Sequence, residues 1–232
     1  MIKDGGCVQE TGAPAKDFAN FPACSGCARG EGFHLPKKGR LPDTPVPTRP
    51  FQAMQMDHSG SVNTKGLSRT GAHDRKQFFT LVDVHTGVKF ACSTKSTDAA
   101  ETILALRQFA KSKVEAFGFA LENLQTLQGD GATPFSSAIF REFAAEHAIS
   151  LRFNAPHCSF TNPFAERGVG TLSMRARTCL LDAELPIWFW PHAISFACFC
   201  ENRLPRLDSK TGKWLAPLER LTGKRHKFEN TD

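Results

Sequence analysis

The chain has 232 residues, 41% of them hydrophobic, with a formal net charge of +6 and a pI near 9.0. That length accommodates one domain of roughly 150 residues plus flanks. No run of about 18 apolar residues marks a transmembrane helix, and the opening MIKDGGCVQETG lacks the apolar stretch of a signal peptide, so an intracellular protein with no membrane partner is expected. The basic balance suits nucleic acid as a partner. Tyrosine is absent against 20 Phe, and no physical account of that bias follows from the sequence. Eight cysteines are scattered along the chain, and Cys92, Cys179, Cys198 and Cys200 sit in apolar contexts that read as buried thiols.

In chain order, residues 1–35 are irregular and rich in Gly, Ala and Cys. Cys24-Ser25-Gly26-Cys27 has zinc-ligand spacing, with Cys7 and His34 as further ligands; the other reading is a vestigial half-site. Residues 36–50, PKKGRLPDTPVPTRP, hold five prolines and read as a basic, extended linker. The compact domain starts near Phe51. FQAMQMDHSG reads as a strand, and KQFFTLVDV and VKFACSTKS as a hairpin turning at His85-Thr86-Gly87. Asp98 caps a helix, with Glu101 three residues on. Ala99, Ile103, Leu106, Ala110, Val114 and Phe117 give that helix one apolar stripe. NLQTLQGD is a fourth strand. SSAIFREFAAEHA is a short helix with Ile139, Phe140 and Phe143 on one face, and ISLRFNAP is a fifth strand. Two long helices follow, over 163–183 and 186–202. This order predicts an α/β sandwich around a mixed sheet. Asp83 and His85 read as structural. Trp188, Trp190, Phe189, Phe196 and Phe199 read as core or dimer packing, with stacking on DNA as the other reading.

Three acidic residues carry the chemistry. Asp57 ends the run FQAMQMD, Asp130 follows LENLQTLQGD, and Glu166 opens NPFAERGVGTLSMRARTCLL. Singly they read as a strand end, an Asp-Gly turn and a solvated helix residue. Asn162 as N-cap and Pro163 at the first helical position put Glu166 in a first turn, where backbone N–H dipoles favour its ionised form. Three gathered carboxylates repel one another, and a bound cation relieves that repulsion. All-oxygen ligation suits Mg²⁺ or Mn²⁺ rather than Zn²⁺.

The 35 residues between Asp130 and Glu166 reproduce the spacing of retroviral-type integrases. From about Met54 to Gly223 the sequence resembles the integrase core of copia-type LTR retrotransposons. The resemblance rests on Asp57, on Leu81-Val82-Asp83-Val84-His85-Thr86-Gly87, and on Asp130-Gly131-Ala132-Thr133-Pro134-Phe135. It continues through Asn162-Pro163-Phe164-Ala165-Glu166-Arg167, Arg175-x-Arg177, Leu185–Trp190, Asn202-Arg203-x-Pro205 and Pro217–Lys224. It implies a ribonuclease-H-like fold, a five-stranded mixed sheet flanked by helices. It implies that Asp57, Asp130 and Glu166 hold two Mg²⁺ or Mn²⁺ ions, Asp57 and Asp130 sharing one and Asp57 with Glu166 the other. The implied reaction joins retroelement cDNA ends to target DNA. The implied setting is a homo-oligomer on DNA in the nucleus. Arg167, Arg175 and Arg177 would contact phosphates or form a solvated basic face.

The expected division is 1–35 as a truncated zinc-binding-like segment, 36–50 as linker, 51–223 as catalytic core and 224–232 as tail. The sequence departs from the family pattern at Gly131, Thr133 and Pro163. No His precedes Cys24, and the family's downstream DNA-binding region does not follow Asp232. A core fragment of a polyprotein or a decayed copy is therefore expected. The alternative function is a catalytically inactive remnant that binds DNA or dimerises.

Overall fold

The computed structural model describes residues 46–62, 75–114, 117, 123–130, 133–153, 162–208 and 212–224. The zinc-spaced Cys24 and Cys27, with Cys7 and His34, lie outside the described residues, as do all of the expected zinc-binding-like segment 1–35, residues 36–45 of the linker and residues 225–232 of the tail.

Three strands, β1 (Ala53–His58), β2 (Gln77–Asp83) and β3 (Lys89–Thr94), pair antiparallel in succession. Their β-branched and aromatic residues fit a sheet buried on both faces. The β2–β3 turn is organised by the buried Asp83 carboxylate. It accepts from Phe51 N–H at 3.0 Å, from Thr86 N–H at 3.0 Å and from the Thr86 hydroxyl at 2.5 Å. Those bonds offset the cost of burying it, so Asp83 is structural. His85 Nδ1 lies 2.9 Å from Pro47 O and ties the end of the linker to this turn.

Helix α1 (Ala99–Phe109) begins as the sequence requires, with Asp98 accepting from Glu101 N–H at 2.8 Å. Its stripe of Ala99, Ile103 and Leu106 is buried. The regular helix stops short of the expected Phe117 and widens into a π turn over Ala110–Val114. Strand β4 (Thr126–Gly129) then returns parallel to β1. Helices α2 (Thr133–Ser136) and α3 (Ala138–Glu146) lead to β5 (Ser150–Phe153), parallel to β4. The sheet order is β3-β2-β1-β4-β5, the five-stranded mixed sheet of a ribonuclease-H-like α/β fold. Ile139 was expected to share the apolar face of Phe140 and Phe143. It is 58% exposed, because adjacent helical residues point about 100° apart.

Helix α4 (Pro163–Asp182), a 3₁₀ turn (Ile187–Phe189) and helix α5 (Trp190–Glu201) cover the opposite face. A hairpin of β6 (Arg206–Leu207) and β7 (Trp214–Leu215) and helix α6 (Pro217–Thr222) close the fold. Period-two alternation along β2 divides the core in two. Phe79 and Leu81 pack with Leu106, Phe109 and Phe140, whereas Phe78 packs with Leu172, Ala176 and Trp190. Among the four described cysteines only Cys198 is fully buried; Cys92, Cys179 and Cys200 are half-buried, which corrects the expectation of four buried thiols. Trp190 belongs to the core, but Phe189, Phe196 and Phe199 are exposed on α5 and the turn before it. Among the described residues no helix is long and apolar enough to cross a membrane.

Candidate active site

Strand alternation decides where Asp57 points. Met54, Met56 and the His58 ring face α1, so Gln55 and Asp57 face α4. The parallel register of β1 with β4 pairs Gln55 with Gln128. Past that last pair, Asp57 is the next-to-last residue of β1 and Asp130 the first after β4. Asp130 is exposed, immediately past the end of β4. Both carboxylates therefore emerge at the carboxyl ends of two adjacent parallel strands.

Glu166 arrives from the first turn of α4. Pro163 takes the first helical position as expected, but Asn162 does not cap the helix with its side chain. The Asn162 side chain is buried and instead donates from Nδ2 to Met56 O at 2.8 Å. Phe164 N–H donates to Gln55 Oε1 at 2.8 Å, and Gln55 Nε2 donates to Gln128 Oε1 at 3.3 Å. Gln55 thus links the start of α4, β1 and β4, the three elements that carry the three acids. Further along α4, Gly168 permits close approach to the sheet. A Cβ there would lie 3.0 Å from Val82 Cγ2 and 3.2 Å from Thr80 Cγ2. Gln55 and Gly168 go unmarked in the sequence reading, and Asn162, expected as a side-chain cap, spends its amide on β1 instead. The signal was present in FQAMQMD, where polar residues alternate with methionine along a strand that should be buried.

The Asp57 carboxyl lies in the field of both other acids. Burial, then the Asp130 carboxylate and also Glu166, push the Asp57 carboxyl from 3.8 to about 7, against a lowering hydrogen bond from His58 N–H. His58 itself is packed between Phe79 and Phe135, with Nε2 3.0 Å from Thr102 Oγ1. The Thr102 hydroxyl donates to Asp98 O at 2.8 Å, so Nε2 is the donor of the pair. Burial lowers the His58 pKa to about 4, leaving the ring neutral at pH 7. The three carboxylates are the right donor chemistry for a hard divalent cation. Among the described residues, however, no group of three or more His, Cys, Asp or Glu is gathered tightly enough to hold a metal ion.

The basic residues of α4 separate. Arg167 and Arg177 are exposed. At about 100° per residue, Arg177 returns to within about 20° of Glu166, whereas Arg175 stands about 180° from it. Arg175 pairs through Nε with Glu201 on α5 at 3.3 Å.

No family model matches the chain. Its sequence is 33% identical over 82 residues to the retrovirus-related Pol polyprotein of transposon TNT 1-94 of Nicotiana tabacum. It is 29% identical over 104 residues to that of transposon RE2 of Arabidopsis thaliana. Those stretches are 35% and 45% of this chain and only 6% and 7% of the polyproteins. The fold matches the HTLV-2 integrase catalytic core in complex with magnesium, at a TM-score of 0.53 and 21% identity, over 77% of this chain and 99% of that one. It also matches a simian T-cell lymphotropic virus intasome in complex with PP2A regulatory subunit B56 gamma. There the TM-score is 0.61 and the identity 18%, over 94% of this chain and 70% of that one. Together these findings show the fold of a retroviral integrase catalytic core and a partial sequence likeness to retrotransposon Pol polyproteins. The chain carries its three acidic residues on β1, just past β4 and on α4, in a ribonuclease-H-like frame.

Proposed function

We propose that this integrase core is of the copia type and joins retroelement cDNA ends to target DNA by metal-dependent phosphoryl transfer. The observation that carries the reading is that Asp57 on β1, Asp130 just past the adjacent parallel strand β4 and Glu166 in the first turn of α4 stand on three elements tied together by Gln55. Asp57 and Asp130 would hold one Mg²⁺ or Mn²⁺, and Asp57 with Glu166 a second. When bound, such ions activate a water or DNA 3′-hydroxyl and stabilise the leaving 3′-oxygen. Gln55 fixes the backbone at the start of α4, so that Glu166 is presented to the strand ends without reorganisation. A likeness to a core solved with magnesium supports the choice of metal.

DNA is the proposed partner, with phosphates on Arg167, next to Glu166, and on Arg177, roughly 16 Å further along α4. The dimeric and trimeric forms of the HTLV-2 core support a homo-oligomer, and the exposed Phe189, Phe196 and Phe199 offer it an apolar surface. The proposed place of action is the nucleus.

The test is Mn²⁺-dependent strand transfer and disintegration with the purified chain. Asp57→Asn, Asp130→Asn and Glu166→Gln preserve shape and each remove a charged ligand. All three are expected to abolish joining. Retained joining in any one removes that residue from the site. One observation favours a second reading, an inactive remnant that binds DNA: the described acids are not spaced to grip a single ion. That reading predicts DNA binding by the wild type with no joining under any metal.

A further inference from the structure

Away from the acidic site, the end of α5 gathers an excess of positive charge. The Glu201 side chain, last in α5, is 1% exposed. Three cations converge on it. Lys89 Nζ from β3 lies at 3.7 Å, Arg175 Nε from α4 at 3.3 Å, and Arg206 of β6 bonds the same carboxylate through Nη2. The Arg203 guanidinium, two residues past Glu201 in the chain, stacks 3.6 Å from the Phe199 ring centroid. The Cys200 thiol lies in the field of both Arg175 and Arg203.

One carboxylate neutralises one cation, so this corner holds a surplus of positive charge. Crowding like charges in a low-dielectric region is costly unless a counter-ion completes the set. Lys89 registers the strain: burial first, then Arg206, lower its pKa to about 8 in spite of Glu201. Arg175 and Arg206 remain open on their outer sides, with side chains 34% and 43% exposed. Each uses one nitrogen on Glu201, and among the described residues their other N–H groups have no protein acceptor. Guanidinium groups held in place by a buried carboxylate are prearranged donors for the oxygens of a phosphate.

We propose that Arg175 and Arg206, oriented by Glu201, form a docking site for a backbone phosphate of nucleic acid. The identity of the anion rests on the DNA-joining reading; the existence of an anion site does not. The site lies on the far side of α4 from Glu166, so it would hold a segment of the duplex, or a second one, away from the reacting bond. The test measures binding of a mixed-sequence DNA duplex to the full chain in EDTA, where no chemistry occurs, over a series of salt concentrations. Arg206→Gln is expected to lower the log–log salt slope by about one, and Arg206→Lys to keep it. An unchanged slope in Arg206→Gln overturns the site, and so does a wild type that does not bind the duplex. A second measurement covers the case in which Arg206→Gln does not fold. Low-millimolar inorganic phosphate should raise the wild-type melting temperature above that in chloride of equal ionic strength, and equal temperatures overturn the site. An effect of Arg206→Gln on binding, in a chain that joins no DNA, would strike the integrase reading and leave the docking site standing.

Discussion

Asp57 is the residue on which the acidic site turns, because it is half-buried beside two other carboxylates. Its folded pKa of about 7 stands above its ordinary 3.8. The folded state therefore binds more protons than the unfolded chain between those values, and stability falls as pH rises through 7. Deprotonation over pH 6 to 8 should cost the metal-free protein roughly 1 kcal/mol. His58 works in the other direction. Its folded pKa of about 4 makes the fold lose stability as pH drops below 6.5. The two effects overlap in wild type, so the clean measurement is a difference. Thermal melts in EDTA at pH 6 and pH 8 are to be compared for wild type and Asp57→Asn. His58 titrates in both proteins and cancels. The variant is expected to gain on wild type by roughly 1 kcal/mol across that interval. A constant difference would mean that Asp57 is ionised throughout and is not coupled to its neighbours.

At the scale of elements, the site depends on how α4 is seated. Asn162 and Gln55 fasten its start to β1 and β4, and Gly168 lets the next turn lie against β2. Gly168→Ala separates two effects of comparable size. Alanine in place of glycine inside a helix contributes about 1 kcal/mol. Overpacking against the stiff Val82 and Thr80 methyls costs about 1–3 kcal/mol. The overpacking wins or nearly balances, so stability should fall by no more than about 2 kcal/mol. Strand joining should fall further than stability accounts for, since the displaced turn carries Glu166 with it. Activity lost only in proportion to folded protein would show that the seating of α4 is not what aims Glu166. The same elements mark what the sequence made legible. Strands with buried faces, the Asp98 cap and the positions of the three acids were readable from periodicity and spacing. Asn162 was misread because a cap is a local rule, and its side chain is claimed by Met56 O, 106 residues away. The β6–β7 hairpin has two residues per strand, too few for a period to register. Arg175 looked like its neighbour Arg177 until the position of Glu201 across the α4–α5 interface was known.

For the whole molecule, the question is whether the fold gathers the acids in order to bind a cation. In the unfolded chain Asp57, Asp130 and Glu166 are dispersed and bind divalent metal weakly. In the folded state they share one end of the sheet, and their repulsion is part of what raises the Asp57 pKa. A ligand that binds only the folded state stabilises it by mass action. Mn²⁺ at about ten times its dissociation constant should add roughly 1.4 kcal/mol. Asp57→Asn should melt higher than wild type in EDTA at pH 8, since a neutral amide eases the repulsion. The same variant should gain much less from MnCl₂, having lost the carboxylate common to both proposed pairs. These two shifts have opposite signs, which a general loss or gain of stability cannot mimic. Equal stabilisation of both proteins by Mn²⁺ would remove the three carboxylates as a metal site. The proposed joining reaction would then fall, and the proposed phosphate site around Glu201 would stand as the chain's remaining proposed contact with DNA.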